Sequence, residues 1–90
     1  MSCISKTIEI TTKRGLHARA SAKFVNVAAG LTARVEVEKD GNRVVGTSIM
    51  GLMMLGAAMG DSITIHCEGE GAEAAMVELA ELVEGRFGEE

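Results

Sequence analysis

The stretch LTARVEVEKDGNRVVG, residues 31–46, restricts the possible folds more than any other part of the chain. Leu31, Ala33, Val35 and Val37 alternate with Thr32, Arg34, Glu36 and Glu38, the two-residue period of a strand with one apolar and one polar face. Asp40-Gly41 is a strong hairpin turn signal, and NRVVG returns beside the first strand as a short second one. A half-buried antiparallel pair needs something apolar laid over its inner face, so the remaining segments must supply more strands and a covering layer.

They do so in alternation. In SCISKTIEITTK, residues 2–13, Ile4, Ile8 and Ile10 share one parity with Lys6 as the exception, which predicts a strand. RGLHARASAKFVNVAAG, residues 14–30, changes period: Ala18, Ala22, Val25 and Ala29 recur at helical spacing and Gly30 terminates, with the helix beginning at or just after His17. TSIMGLMMLG, residues 47–56, reads as a helix of about two turns opened by Thr47 or Ser48 and closed by Gly56. SITIHCEG, residues 62–69, is a fourth strand, with Ile63, Ile65 and Cys67 on one side and Ser62, Thr64 and His66 on the other. A last amphipathic helix places Ala72, Met76, Leu79 and Val83 on one face, flanked by Ala75 and Leu82, with glutamates opposite. The order is βαββαβα, an α+β two-layer sandwich of four antiparallel strands with the helices on one face.

Ninety residues support one such domain, 1–90, and leave no room for a deep substrate cavity. Phe24 and Phe87 are the only aromatics, which argues against base stacking and hence against nucleic acid as a partner. Cys3 and Cys67 stand alone, without metal-ligand spacing or a disulfide framework, and two thiols fit a reducing cytoplasm. There is no cationic region followed by an apolar stretch at the N-terminus, and the longest nonpolar run, residues 49–60, is too short and glycine-rich for a bilayer. A cytoplasmic protein without metal or other cofactor and without membrane insertion is expected.

Charge is unevenly spread. No acid lies between Glu9 and Glu36, whereas Lys13, Arg14, Arg19, Lys23 and Arg34 all do; from Glu68 onward Arg86 is the only base among eight glutamates. A basic front suggests an anionic ligand or an acidic partner, and the acidic back reads as solvated helix surface. His17 sits within the basic front, just before a helix. There the first free N–H groups and the positive end of the dipole favour an anion, and they disfavour a cationic imidazole, leaving it neutral and nucleophilic. A phosphoryl group on its ring would lie beside the amides of Ala18 and Arg19, with the Arg19 guanidinium adding charge-assisted hydrogen bonds. The residues alone leave two readings open, a helix-cap histidine with incidental basic neighbours and a phosphate acceptor. The chain has no Walker loop, no G-x-G-x-x-G after a strand and no carboxylate cluster near His17, so a phosphoryl donor would have to be another protein. His66, on the polar side of its strand and pointing away from Cys67, reads as a solvent-facing histidine.

In the short helix, Leu52 and Leu55 should face the core and leave Ile49, Met50 and Met53 on or near the exposed side. Flexible methionines suit a surface that meets several partners, although in a chain so poor in aromatics Met53 and Met54 could equally be core filling. Ser48 reads as an N-cap, at a position where an added phosphate would be tolerated locally while changing the surface charge.

GLHARASAKFV together with TSIMGLMMLGAAMGDSITI resembles the histidine-containing phosphocarrier (HPr) family of the bacterial phosphotransferase system, over essentially the whole chain. The resemblance implies an open-faced sandwich with strand order 1-4-2-3. It implies phosphorylation of His17 on Nδ1 by phosphorylated Enzyme I and transfer to an Enzyme IIA-type acceptor, sugar-specific or regulatory. It makes Arg19 the arginine that contacts phosphohistidine and Ser48 the serine targeted by an HPr kinase/phosphorylase. Arg14, Ala20, Lys23, Ile49, Met50 and Met53 become the partner-facing positions of what is expected to be a monomer. The family pattern G-L-H-x-R-P-A departs here to Ala20-Ser21 in place of Pro-Ala, and alanine pre-sets the first helical turn less than proline. The glycine- and methionine-rich short helix also differs from the sugar-transport members and suggests a regulatory branch. Two other functions stay in view, a regulatory binding module acting through residues 48–54 with His17 inert, and a ferredoxin-like small-ligand or metal-carrying domain, where the lack of paired thiols argues against metal.

Overall fold

The computed structural model describes residues 3–89. Its elements are β1 (Cys3–Glu9), α1 (Ala18–Ala29), β2 (Arg34–Lys39), β3 (Asn42–Val45), α2 (Ile49–Met54), β4 (Ser62–Glu68) and α3 (Ala72–Glu84). The strands form one antiparallel sheet in the order β1-β4-β2-β3, with the three helices on one face, so the expected open-faced sandwich is the fold.

Register follows from the alternation. Ile8 pairs with Ile63, Cys67 with Val35 and Ile65 with Val37, and all six side chains are buried under the helices. Shifting any strand by one residue would turn its whole apolar set out to water. The β2–β3 register is pinned by Asp40 and Gly41, both at positive φ (53° and 84°), the backbone of a type I′ turn. Lys6, the exception in β1, lies on the edge strand and reaches Glu84 of α3 at 3.5 Å.

Helix α3 buries the residues its spacing predicts, Ala72, Ala75, Met76, Leu79 and Val83, together with Ala80. Helix α1 is rotated from the expected face: Ala18 and Ala29 are exposed, and Ala20, Ser21, Phe24 and Ala28 are buried. The cause is Phe24. As one of two aromatic rings it carries the largest apolar area in the helix, and its burial outweighs a stripe made mostly of alanines.

Two further readings need correction. His66 is on the open face of the sheet, but its ring is only 14% exposed. Its Nδ1 lies 2.6 Å from the Ser5 hydroxyl and its Nε2 2.8 Å from the Glu38 carboxylate, which bridges three strands. The segment after α3 is likewise not simply solvated: Arg86, Phe87 and Gly88 have φ of 58°, 55° and 74°, a left-handed turn that folds the chain back and buries Phe87. Left-handed backbone costs about 1–2 kcal/mol at a non-glycine residue, and burying an aromatic ring offsets it.

No helix among the described residues is long and apolar enough to cross a membrane. Phe24→Ala should lower unfolding stability by about 3–5 kcal/mol, read from the denaturant midpoint, because no other large side chain in α1 can fill that space. Ala22→Ser, on the half-buried side, should change it by under about 1 kcal/mol.

Candidate functional site

His17 is the N-cap of α1. Its backbone is extended (φ −74°, ψ 179°), and its Nδ1 accepts the Arg19 amide N–H at 3.2 Å. The first amides of any helix lack intrahelical acceptors, and here an imidazole nitrogen takes the place usually filled by a hydroxyl or carboxylate oxygen. Because a backbone N–H can only donate, Nδ1 must hold a lone pair, and the neutral ring carries its proton on Nε2. The Nε2–H donates to Oε1 of Glu89 at 3.0 Å. The ring is thus held at both nitrogens, with 15% of the side chain exposed.

The loop before the helix is fixed by close backbone packing. Leu16 N–H donates to the Ala57 carbonyl at 2.9 Å and Gly15 N–H to that of Thr12 at 3.0 Å. Gly15 has φ +65°, and a Cβ there would stand 2.3 Å from the Ala57 oxygen, so the position requires glycine on both counts. The segment following α2 therefore supports the loop that carries His17. Ser21, where proline-alanine would give Ala, is buried and donates its hydroxyl to the Leu16 carbonyl at 3.2 Å. That bond ties the first helical turn to the loop and supplies a restraint that Ala20 does not.

The expected residues separate into those that converge and those that do not. Arg19 brings its amide to the ring, and its side chain is exposed, as is that of Arg14. Ala20 is fully buried and cannot itself touch a partner, a correction that follows from the rotation of α1 toward Phe24. Lys23 donates its ammonium to the Phe87 carbonyl at 2.8 Å and so anchors the C-terminal segment instead of standing free. A single carboxylate, that of Glu89, lies against His17, a contact the sequence reading did not include. The His17 N–H bond holds the Glu89 carboxyl below its ordinary value of 4.5, with Lys23 and Arg19 contributing by charge.

Ser48 caps α2, accepting the Gly51 N–H on its hydroxyl at 2.9 Å, and Thr47 plays no such part. Leu52 and Leu55 are buried, while Ile49 (40%), Met50 (70%), Met53 (41%) and Met54 (80%) are exposed. Core filling is therefore excluded for Met53 and Met54, and Met54 extends the apolar surface beyond the expected residues. Helix α2 packs against α1, which puts this surface on the same side of the sheet as His17.

A family model described as "PTS HPr component phosphorylation site" matches residues 4–85. The phosphocarrier protein HPr of Neisseria meningitidis is 48% identical over 86 residues, covering 96% of this chain and 97% of that one. An HPr crystal structure from Thermoanaerobacter tengcongensis superposes with a TM-score of 0.92 at 44% identity, over 97% of this chain and 98% of that one. The catabolite-repression protein Crh of Bacillus subtilis, crystallised as a swapped dimer, superposes with a TM-score of 0.75 at 38% identity, over 92% and 95%.

Gly15→Ala should destabilise the fold by about 1–3 kcal/mol, seen in thermal or denaturant unfolding, and should broaden the His17 ring resonances as the loop loses its seat. For the C-terminal contact the pH sign is fixed by the lowered Glu89 pKa. Its contribution is fully present above the unfolded carboxyl's value and is lost as pH falls through the lower folded one. A titration followed on the Glu89 side-chain carboxyl should therefore show its contact with His17 still formed at pH 4.5 and lost only in more acid solution.

Proposed function

Because the chain belongs to the HPr family of phosphocarriers of the phosphotransferase system, we propose that His17 Nδ1 accepts a phosphoryl group from phosphorylated Enzyme I and passes it to an Enzyme IIA-type acceptor. The observation that carries this reading is the state of the ring: Nδ1 presents its lone pair at the N-terminus of α1, and the proton is held on Nε2.

The chemistry follows from that geometry. The Nδ1 lone pair forms the new N–P bond while the bond from phosphorus to the donor breaks, its electron pair going to the donor. The ring keeps its Nε2 proton and gains positive charge. The Arg19 amide, released from Nδ1, is then free to donate to a phosphate oxygen. The helix dipole and the Arg19 guanidinium oppose the remaining negative charge. No proton has to be taken up or lost at His17, so the forward and reverse steps use the same arrangement and the group can be handed on. The protein serves as a carrier: the donor and acceptor domains bring the remaining catalytic groups.

Two surfaces support sequential partners. Arg14 and Arg19 suit an acidic rim, and Ile49, Met50 and Met53 provide an adaptable apolar contact. A monomer leaves both accessible. A phosphate added to Ser48 by an HPr kinase/phosphorylase would place nearly two negative charges beside that apolar contact, and so weaken docking of an acidic partner. Solvent access to Cys3 and a buried Cys67, whose thiol pKa burial raises, are compatible with a reducing cytoplasm.

The test is phosphoryl transfer from phosphoenolpyruvate through purified Enzyme I, read as intact mass and acid lability. Wild type should gain one acid-labile phosphate and His17→Ala none, with its fold unchanged by circular dichroism. Arg19→Ala should slow the transfer about tenfold. Labelling of His17→Ala would overturn the assignment; an inert His17 with Ser48 still a kinase substrate would instead favour a regulatory binding module. For Ser48→Asp the expected result is a raised KM for Enzyme I with His17 still competent.

A further inference from the structure

We propose that Glu89 is a positioning residue for His17: its carboxylate selects the ring tautomer that leaves Nδ1 nucleophilic, and it stabilises the positive charge that the ring acquires once phosphorylated. The inference rests on the carrier reading above and assigns a role to a residue outside the helix that bears the histidine.

Two bonds define the arrangement, Arg19 N–H to Nδ1 at 3.2 Å and Nε2–H to Glu89 Oε1 at 3.0 Å. In water a neutral imidazole partitions between two tautomers, and only one has its lone pair on Nδ1. An acceptor fixed at Nε2 favours that one, and does so from the ring edge opposite the reacting nitrogen, where it does not obstruct the phosphoryl donor. A carboxylate on the far nitrogen serves histidines of hydrolytic triads in the same way, by fixing tautomer and orientation and by stabilising the imidazolium. Here the positive charge comes from N–P bond formation and not from a proton. The Nε2–H stays on its nitrogen throughout, and the neutral hydrogen bond to Glu89 becomes a charge-assisted one.

The placement of Glu89 is built by the fold and not by the carboxylate's own bonds. Its second oxygen, Oε2, is buried and has no hydrogen-bond partner among the described residues, an unfavourable situation for a group left to find its own position. Phe87, buried at 1% exposure, and the Lys23 ammonium on the Phe87 carbonyl bring the segment to the site. The left-handed turn at Arg86, Phe87 and Gly88 then directs it back toward the ring. The hydrogen bond from His17, with smaller contributions of charge from Lys23 and Arg19, lowers the pKa of the carboxyl and so favours its ionised form.

The experiment compares full-length wild type, Glu89→Ala and Glu89→Gln, using long-range proton–nitrogen correlation spectra of His17 and the equilibrium of phosphoryl exchange with Enzyme I. Wild type should show the Nε2–H tautomer. Glu89→Ala, which keeps the weak Arg19 N–H bond to Nδ1 but loses the acceptor at Nε2, should show a measurable Nδ1–H fraction beside the Nε2–H form, an exchange equilibrium constant about five- to tenfold less favourable to the carrier, and faster hydrolysis of its phosphohistidine. Glu89→Gln, whose amide oxygen still accepts the Nε2–H, should recover the tautomer but not the equilibrium constant, a split that loss of packing alone would not produce. A wild type that takes no phosphate overturns the carrier reading and this role with it. A wild type that is phosphorylated normally, beside a Glu89→Ala protein with the same tautomer and the same equilibrium constant, overturns the role of Glu89 alone.

Discussion

A helix leaves its first amides without acceptors, and the way this chain meets that need at α1 organises the site. The acceptor is the imidazole of His17 itself, so the group that completes the helix is also the one proposed to carry the phosphoryl group. A phosphoryl group at Nδ1 would bring oxygens that can take over the Arg19 amide, so the helix end is satisfied before and after. The remainder of the architecture serves this one bond. Gly15 against Ala57 seats the loop, Ser21 ties the helical turn to Leu16, and the C-terminal segment closes on the opposite ring nitrogen.

The sheet was legible because its physics is local. Strict alternation in 31–39 and 62–68, with Asp40-Gly41 between strands, specifies faces and a turn without reference to the rest of the molecule. Strand order was implied by family resemblance and not by pattern. The buried face of α1 was misread because alanine is too small to define a face: Ala18, Ala22, Val25 and Ala29 have the right spacing, but Phe24 decides which side turns inward. His17 and Ser48 could be placed from their positions before helices, since caps are local too. Glu89 could not, because its contact spans 72 positions and depends on three residues in left-handed backbone. One signal did point to it. In a chain with two aromatics, a phenylalanine three residues from the C-terminus between glycines and charges has to be buried somewhere, and burying it draws its neighbours in with it.

The exposed side of α2 shows the opposite economy. Six residues of helix put Leu52 into the core while Met50, Met53 and Met54 stay in water, and nothing in the fold requires methionine there. Apolar surface of this kind is unfavourable in a free protein and becomes useful only in a complex. Its flexibility also means that no single partner shape is imposed on it. The exposed apolar side of α2 and the N-cap histidine of α1 are thereby kept on separate helices that pack together, so a change in one surface need not disturb the geometry of the other.

The path of the chain after α3 also decides how the molecule can be handled at the bench. Because the Glu89 carboxylate stands 3.0 Å from the imidazole, a label or cross-link placed on that side chain would act on His17 directly. β1 runs from Cys3 to Glu9 before the chain turns toward His17, so Cys3 lies about 20 Å from the other end of that strand, at roughly 3.4 Å per residue. A probe on the exposed Cys3 thiol would be held at that far end of the edge strand.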